Sequence, residues 1–243
     1  MDVKGGMPRS LRDLYETELA PTYERANRVL TLGLDRVWRR RAARRAARGG
    51  GDVWLDVCSG TGEMAQALSR LAPAGTRIVA LDFSPSMLAR ARRKDMAAPT
   101  AFVLGDVKRL PLEDAAVDLV TVSFATRNLR LSRDVLVATF RELFRVLKPG
   151  GRFMNVETSQ PRARLIRVLF HAYAALVVRR VGYRLSGSRA GYAYLAASMR
   201  SFYGPAELAG LLEEAGFAPV EAAPLFFGAA AVHLARKPAG PDS

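Results

Sequence analysis

The chain has 243 residues, 49% of them apolar, and a mean hydropathy near zero, which suits a globular domain with a full-sized core. A single cysteine, Cys58, excludes a disulfide framework, and the two histidines add too few ligands for a metal cluster, so we expect no metal. The sequence shows no leader-like apolar core and no apolar run of about 20 residues, which predicts a cytoplasmic protein.

The formal net charge of +14 comes mostly from arginine. One interpretation is attraction to an anionic membrane surface or to nucleic acid. The other is compositional bias, because arginine greatly outnumbers lysine and alanine is abundant. The arginines cluster within residues 36–48 and again within 162–180, and no aromatic residues alternate with them as in single-strand-binding proteins, so we expect no specific nucleic-acid partner.

Residues 10–48 are predicted to be helical, with Leu30, Leu34 and Trp38 at helical spacing and Gly49–Gly51 after them. Strands and helices then alternate, which predicts a parallel, doubly wound sheet with right-handed crossovers. The predicted strands are residues 52–57, 77–81, 100–104, 118–123, 152–157, 217–222 and 229–236. The predicted helices are residues 63–71, 85–94, 132–147 and 205–215.

The alternation is interrupted over residues 158–203, where a basic amphipathic stretch precedes a piece rich in glycine and tyrosine. We therefore expect one domain over residues 1–243. Its parts would be an N-terminal helical segment (10–50), a cofactor-binding half (51–157), a helical cap insertion (158–204) and a C-terminal helix with strands (205–236).

The most informative motif is the turn Gly60-Thr61-Gly62, which follows an apolar strand, together with Asp82 at the end of the next strand. Glycine lets backbone approach a ligand closely, and a carboxylate can accept two hydrogen bonds from a ribose diol. Ligands of doubly wound sheets bind beyond the carboxyl ends of the strands, where these residues fall. The turn therefore predicts a cofactor that contains adenosine.

The identity of that cofactor is less direct, because residues 60–65 also match the relaxed dinucleotide fingerprint. Asp56 before the turn and Glu63 after it would repel a diphosphate but suit an ammonium and a sulfonium. The residues thus favour S-adenosyl-L-methionine (SAM). An NAD-binding oxidoreductase and a glycine turn without a ligand stay open as alternatives.

These motifs together resemble the UbiE family of quinone C-methyltransferases, which are class I SAM-dependent methyltransferases. The resemblance covers about residues 20–236, and its marks include Arg145–Gly151 and the final Gly228-x-x-Ala231-Val232-His233. The motifs that point to this narrower family are Arg127-Asn128 after the fourth strand and Tyr192-x-Tyr194-Leu195. It implies a Rossmann-like α/β fold with a seven-stranded, mostly parallel sheet, an antiparallel last strand and a helical cap. It also implies C-methylation of a hydroquinone with a prenyl tail, first of all of demethylmenaquinol to menaquinol.

Several residues acquire expected roles from the motifs and the resemblance. The expected cofactor-binding residues are Tyr23, Asp56, Gly60, Thr61, Gly62, Asp82, Asp106, Val107 and Ser123. Asp82 would hold the ribose diol and Asp106 would accept from the adenine N6 amine. Tyr23 would close over the methionine end of SAM, unless it is an ordinary helix position that packs an aromatic ring.

Arg127 and Asn128 are the candidate catalytic residues, placed to stabilise a phenolate or to hold the water that takes its proton. The alternative for Arg127 is a pair with Glu157 or Asp134 that only braces the loop. Tyr192 and Tyr194 are the candidates for the acceptor pocket, with ordinary packing as their alternative.

Two departures from the family pattern put the acceptor in question. Ala125 stands where the family usually has glycine, and Cys58-Ser59 stand where it usually has glycine or alanine. They keep open a ubiquinone precursor or a small natural-product phenol as the acceptor, and a non-catalytic partner of a quinone-pathway assembly is a further alternative. The cap would either hold the prenyl tail, with Arg162, Arg164 and Arg179 towards anionic headgroups at the inner face of the cell membrane, or pack on its own core. A homodimer is left open.

Overall fold

The computed structural model describes residues 22–240, without the side chain of Tyr23. The predicted N-terminal helix is interrupted in this range, because Gly33 takes a left-handed conformation (φ +77°) between α1, Tyr23–Leu30, and α2, Leu34–Ala47. The part of the prediction before residue 22 lies outside the described residues.

A seven-stranded sheet forms the centre of the molecule, in the order β3-β2-β1-β4-β5-β7-β6. The strands are β1 Val53–Val57, β2 Arg77–Asp82, β3 Thr100–Leu104, β4 Val117–Ser123, β5 Leu147–Thr158, β6 Val220–Leu225 and β7 Ala230–Arg236. β7 runs antiparallel to both of its neighbours, and the other paired strands are parallel. The prediction of a mostly parallel sheet with an antiparallel last strand is confirmed.

Helices cover both faces of the sheet, as a doubly wound fold requires. The remaining ones are α3 Glu63–Ser69, α4 Pro85–Ala91, α5 Thr126–Leu129, α6 Arg133–Val146, α7 Arg164–Tyr173, α8 Arg179–Ser186, α9 Arg189–Ser201 and α10 Pro205–Glu214. One buried cluster contains Phe140, Phe153 and Phe217, and the other contains Trp38 and Trp54. β1 contributes to both clusters, through Leu55 and Val57 to the first and through Trp54 to the second, so the strand that precedes the glycine turn is packed on both faces.

Several predicted boundaries shift for local reasons. α3 ends at Ser69, and Leu71 is exposed instead of extending its apolar face. α6 passes directly into β5 at Leu147, so the predicted turn at 148–151 belongs to the strand. β6 begins at Val220 rather than 217, because Phe217 packs into the core beside Phe144 before the strand starts.

The predicted cap is helical. α7, a π-helical turn at Ala174–Val178 and α8 follow one another with right-handed helical backbone at both junctions, and Gly187 ends the run. α9 packs against the π turn and α8, and α1 packs against α8, so the cap has its own buried cluster. α7 itself contains no buried residue. No helix within residues 22–240 is long and apolar enough to cross a membrane.

Candidate cofactor and acceptor site

The glycine turn lies between β1 and α3. Each of its two glycines is needed at its position for a different structural reason. Gly60 has φ +55°, and a Cβ at this position would meet open space. Gly62 has φ +79°, and its Cβ would lie 2.9 Å from the Cβ of Ala91. Gly60 therefore keeps open the space in which a ligand can approach the backbone. Gly62 is required by the close packing of α4, which corrects the expectation that both glycines serve the ligand.

Asp82 ends β2 beside this turn. Its Oδ2 accepts from the backbone N–H of Gly60 at 2.8 Å, and its Oδ1 accepts from the N–H of Ser84 at 2.9 Å. Burial raises the pKa of Asp82, while these backbone hydrogen bonds oppose the rise. Each carboxylate oxygen can accept a further bond, so Asp82 can fix the turn and still receive two hydroxyl groups.

Asp56 lies below the turn in β1 and is fully buried. Its Oδ1 accepts from the Thr121 hydroxyl at 2.7 Å, and burial raises its pKa to about 7. The expectation that Asp56 lines the cofactor loop is therefore corrected: its side chain sits in the sheet layer beneath the loop.

Glu63 begins α3 and is paired with a buried arginine that the sequence reasoning did not assign to the site. Arg39 Nη1 lies 3.0 Å from Glu63 Oε2 and 2.7 Å from Asp35 Oδ2. The Arg39 guanidinium also lies 4.9 Å from the ring centroid of Phe124. The negative charge expected of Glu63 is thus offset locally, which removes part of the electrostatic argument against a diphosphate.

The N-terminal helix α1 reaches the turn through Glu24. Lys94 Nζ lies 2.7 Å from Glu24 Oε1, and Thr61 also hydrogen-bonds to this carboxylate. Burial would raise the pKa of Glu24, but these partners outweigh it and the pKa falls. Tyr23 is the first residue of this helix, and its side chain lies outside the described part of the chain.

The other expected cofactor residues lie in the loops after β3 and β4. Asp106 is exposed and its Oδ1 accepts from the N–H of Lys108 at 2.9 Å, whereas the side chain of Val107 is buried in the core. Ser123 ends β4 and faces the same cavity as Gly60 and Asp82. The four neighbouring strands β3, β2, β1 and β4 thus bring these residues to one edge of the sheet.

That cavity has apolar walls that the sequence reasoning missed. Its lining consists of Cys58, Gly60, Asp82, Phe83, Met87, Ser123, Phe124, Ala125, Asn128 and Leu129. The signal for Phe83 and Phe124 was present, since each directly follows a strand whose last residue is polar. Burial, followed by the nearby carboxylates, raises the pKa of the Cys58 thiol, so this side chain is an uncharged part of the cavity wall.

Arg127 lies on α5 and is buried against β5. Its Nη1 donates to Glu157 Oε1 at 2.6 Å and to the Phe124 carbonyl at 3.1 Å. The Glu157 carboxylate also accepts from the N–H and hydroxyl of Thr158 and from the N–H of Arg127. The bracing pair that was the alternative for Arg127 is therefore present. Asn128, the next residue, lines the cavity.

The two candidate acceptor tyrosines lie in different surroundings. The ring of Tyr192 is buried in the cap, where a Cβ on Gly182 would come within 1.9 Å of it, so its packing alternative is what the structure shows. Tyr194 is half-buried, and burial raises the pKa of its hydroxyl, while Arg127 and Glu157 lie close enough to perturb it. Only Tyr194 is therefore placed near Arg127.

The geometry fits SAM. Gly60 leaves a space at the backbone, Asp82 offers acceptors at its edge, and the apolar residues around it suit a nucleoside. The fold has the strand order and the antiparallel β7 of a class I SAM-dependent methyltransferase.

Comparison with known proteins leads to the same class. The chain matches the ubiE/COQ5 methyltransferase family over residues 9–237 and belongs to that family. It is 38% identical to the demethylmenaquinone methyltransferase of Thermus thermophilus over 224 residues, which is 91% of this chain and 99% of that protein. It is 40% identical to the demethylmenaquinone methyltransferase of Deinococcus radiodurans over 201 residues, 82% of this chain and 81% of the other.

Solved structures show the fold as well. Human N-acetylserotonin methyltransferase in complex with SAM superposes with a TM-score of 0.61 at 19% identity, over 92% of this chain and 59% of that one. A SAM-dependent methyltransferase from Aquifex aeolicus gives a TM-score of 0.53 at 18% identity, over 76% and 82% of the two chains. The protein is thus a SAM-dependent methyltransferase.

Proposed function

We propose that the protein transfers the methyl group of SAM to a ring carbon of a prenylated hydroquinone, and that its acceptor is demethylmenaquinol, which becomes menaquinol. The observation that carries this proposal is the similarity over 91% of the chain to the demethylmenaquinone methyltransferase of Thermus thermophilus, 99% of which is covered. The position of Asn128 supports it, because this polar side chain lies in the wall of the proposed cofactor cavity, where an acceptor next to SAM could be contacted.

In this proposal the strand ends hold the cofactor. SAM supplies an electrophilic methyl group on a sulfonium. Asp82 accepts from the two ribose hydroxyls while its oxygens keep the turn closed through Gly60. Asp106 accepts from the adenine amine. Thr61, linked to Glu24, and Ser123 line the remaining path of the cofactor, with Tyr23 over its methionine end.

The acceptor carbon is nucleophilic when the neighbouring ring oxygen donates electron density, most strongly as a phenolate. Because opposite charges would disappear when a phenolate takes the methyl group from SAM, the residues of the site would contribute mainly orientation and exclusion of water. Orientation alone can supply about 7–11 kcal/mol of the barrier. Removal of the hydroxyl proton by a base or a water molecule would increase the rate by a further factor of about 10²–10⁴.

Arg127 and Asn128 have different proposed roles at the oxygen atoms of the acceptor ring. An arginine stays protonated in proteins, so Arg127 is not the base and acts through its positive charge on the phenolate. Glu157 is paired with a buried guanidinium, and its Oε1 already accepts from Arg127 and Thr158, which argues against it as the base. Asn128 lies in the cavity wall and can position a ring oxygen or the water that takes the proton.

The buried pair also has a positioning effect. α5 contains only the four residues Thr126–Leu129, and a helix this short depends on contacts to hold its place. The Arg127–Glu157 pair and the 2.6 Å bond from Thr126 to Asn155 attach it to β5. Tyr194 completes the acceptor side from α9, where its hydroxyl is close to Arg127.

The test is a methyl-transfer assay with labelled SAM. Reduced demethylmenaquinone with a short prenyl tail should be methylated on carbon, while a panel of soluble phenols should not. The Asp82→Ala variant should lose transfer at low SAM concentration, which ties the signal to this site. Transfer to a soluble phenol with none to the quinol would overturn the acceptor assignment and leave the cofactor assignment standing.

A cell lacking a quinone methyltransferase provides the second readout. Expression of the protein should restore methylated menaquinone in the quinone pool, as measured by mass spectrometry, and Asp82→Ala should restore less. Because a polyprenyl quinol resides in the bilayer, the proposal places the protein at the membrane surface during turnover.

A further inference from the structure

We propose that the exposed side of α7 and the π turn is the surface that docks this protein onto an anionic lipid bilayer. This surface, called here the outer face, consists of Leu165, Val168, Leu169 and Leu176. The inference rests on the proposed function, because a lipid acceptor requires the protein to reach the bilayer.

The outer face is apolar and uncovered. Leu165, Leu169 and Val168 are 71%, 61% and 57% exposed, and Leu176 is 51% exposed. Their spacing of three, four and seven residues places them on one side of a helix. A helix packed on its own core would bury this side, but α7 contains no buried residue at all. The structure therefore favours an external partner for this stripe.

The charge around the outer face is positive and uncompensated. No aspartate or glutamate occurs between Glu157 and Glu207, while eight arginines do: Arg162, Arg164, Arg167, Arg179, Arg180, Arg184, Arg189 and Arg200. Within residues 22–240, none of the eight takes part in a salt bridge. An apolar helix side flanked by arginines matches a bilayer interface with anionic headgroups.

Two further apolar groups lie at the ends of α7. Phe226 and Phe227 are both exposed, and the following Gly228 sits against Pro161, just before α7 begins. At the other end, the Tyr173 hydroxyl donates to the Leu30 carbonyl, two residues before Leu32, which is 88% exposed. The apolar surface thus continues beyond the helix at both of its ends.

Aromatic rings connect this surface with the cavity. The ring of Phe226 lies 6.3 Å from that of Trp38, and Trp38 lies 6.2 Å from Phe124. Phe124 lines the cavity beside Asp82 and Asn128. An apolar acceptor that leaves the bilayer at the outer face would therefore meet apolar side chains on its way to the site.

A second basic surface competes with this assignment. A groove of about 400 Å³ between α2 and α3 is lined by Arg36, Arg40, Arg44, Arg70 and Lys94, among others. Glu63 shares that groove, and among the exposed large apolar side chains only Leu71 lines it. It can attract anions but offers little to insert between lipids, so we place the docking surface on α7.

Vesicle co-sedimentation tests the proposal on the full-length protein. Vesicles of phosphatidylcholine alone are compared with vesicles of equal parts phosphatidylcholine and phosphatidylglycerol. The wild type should partition to the anionic vesicles. The double variants Leu165→Ser/Leu169→Ser and Arg164→Gln/Arg167→Gln should each lose about tenfold or more in partition coefficient. All four positions are exposed, so folding should not change.

The matched controls are Leu131→Ser, an exposed leucine outside the cap, and Arg40→Gln/Arg44→Gln in the competing groove. Both should bind vesicles like the wild type. All variants should still methylate a short-tailed quinol in detergent-free buffer, so a loss there would concern the proposed function and not the docking surface.

Two results would overturn the proposal. If the Arg40→Gln/Arg44→Gln variant loses binding while the cap variants keep it, the α2–α3 groove is the docking surface. The second result is that the wild type does not bind anionic vesicles and that Leu165→Ser/Leu169→Ser converts a dimer into a monomer in light scattering. The outer face would then be a contact between two copies of the chain.

Discussion

Arg127 on α5 and Glu157 on β5 form a buried ion pair in which Nη1 and Oε1 lie 2.6 Å apart. The pair joins the loop after β4 to the end of β5, the two strand ends between which the acceptor is proposed to bind. The carboxylate of Glu157 offsets the positive charge of Arg127. The guanidinium near the proposed site of the acceptor ring is therefore already paired. The structure shows the bracing pair, and the catalytic role of Arg127 is a proposal that variants of the pair can test.

Removing one partner of this pair should cost stability as well as activity. Arg127→Ala leaves the Glu157 carboxylate buried without its guanidinium, which typically destabilises a protein by about 3–5 kcal/mol. We expect a loss of this size in urea unfolding, together with a loss of turnover.

The double variant Arg127→Met/Glu157→Leu separates the two effects. Replacing both members by apolar side chains often restores stability. It should therefore unfold close to the wild type, keep its affinity for SAM in calorimetry and still fail to methylate. Recovery of turnover in this variant would show that the pair only braces the loop.

The two glycines of the turn should respond differently to alanine. Gly62→Ala adds a methyl group 2.9 Å from the Ala91 Cβ at φ +79°, and it should lose about 2–5 kcal/mol of unfolding free energy. Gly60→Ala meets open space at φ +55° and should lose only about 1–2 kcal/mol. Its added methyl group projects into the ligand space, so SAM affinity should fall about tenfold or more by calorimetry. Similar effects of both changes would contradict the division of roles.

The same turn shows what the sequence could and could not predict. Strand and helix alternation predicted the sheet, and the strand-end positions predicted that Asp82, Ser123 and Asn128 would share one edge, because periodicity and topology are local and additive signals. Burial could not be predicted in the same way. Asp56 and Tyr192 carry polar groups that look functional in a motif, but the packing of β1 and of the cap encloses both.

The sequence also could not predict ion pairs between residues that lie far apart along the chain. The sequence places Arg39 in a basic cluster, but the structure buries it between Asp35 and Glu63. Glu63 belongs to a different helix and is distant from Arg39 in the sequence. The turn of α2 that brings Asp35 beneath Arg39 is visible at i, i+4 spacing, whereas the approach of α3 depends on how both helices pack on the sheet.

Asp82→Ala should weaken SAM binding by about 1.5–3 kcal/mol, since hydrogen bonds to a charged group are lost. Titration calorimetry measures this directly. Asp118→Ala is the matched control, because Asp118 accepts from the N–H groups of Asp52 and Val53 at the opposite ends of the strands. It should lower stability and leave SAM affinity unchanged. Equal affinity of Asp82→Ala and the wild type would remove Asp82 from the cofactor site.

Asp56 should make stability depend on pH. Burial raises its pKa from the usual 3.8 to about 7 in the folded protein. Below about pH 4 the group is protonated in both states, and between about pH 4 and 7 the folded state binds more protons than the unfolded one. Stability should therefore fall as the pH rises through this window. At 1.36 kcal/mol per unit, the full effect is about 4 kcal/mol.

Asp56→Asn removes this titration and keeps an oxygen that can accept from the Thr121 hydroxyl, as Oδ1 of the acid does. Any constant cost of the amide is independent of pH. The unfolding free energy of the variant relative to the wild type should thus rise by about 4 kcal/mol between pH 4 and pH 8, measured by urea titration at each pH.

Asp118→Asn is the control, because the contribution of Asp118 to stability should change with pH in the direction opposite to that of Asp56. Burial would raise the pKa of Asp118, but Lys148 and the two backbone amides outweigh it and lower the pKa. Its contribution to stability is present above the usual pKa of the acid and is lost as the pH falls through the lowered value. The deficit of Asp118→Asn should therefore shrink on acidification. A flat difference between Asp56→Asn and the wild type over the whole range would mean that folding leaves the pKa of Asp56 unchanged despite its burial.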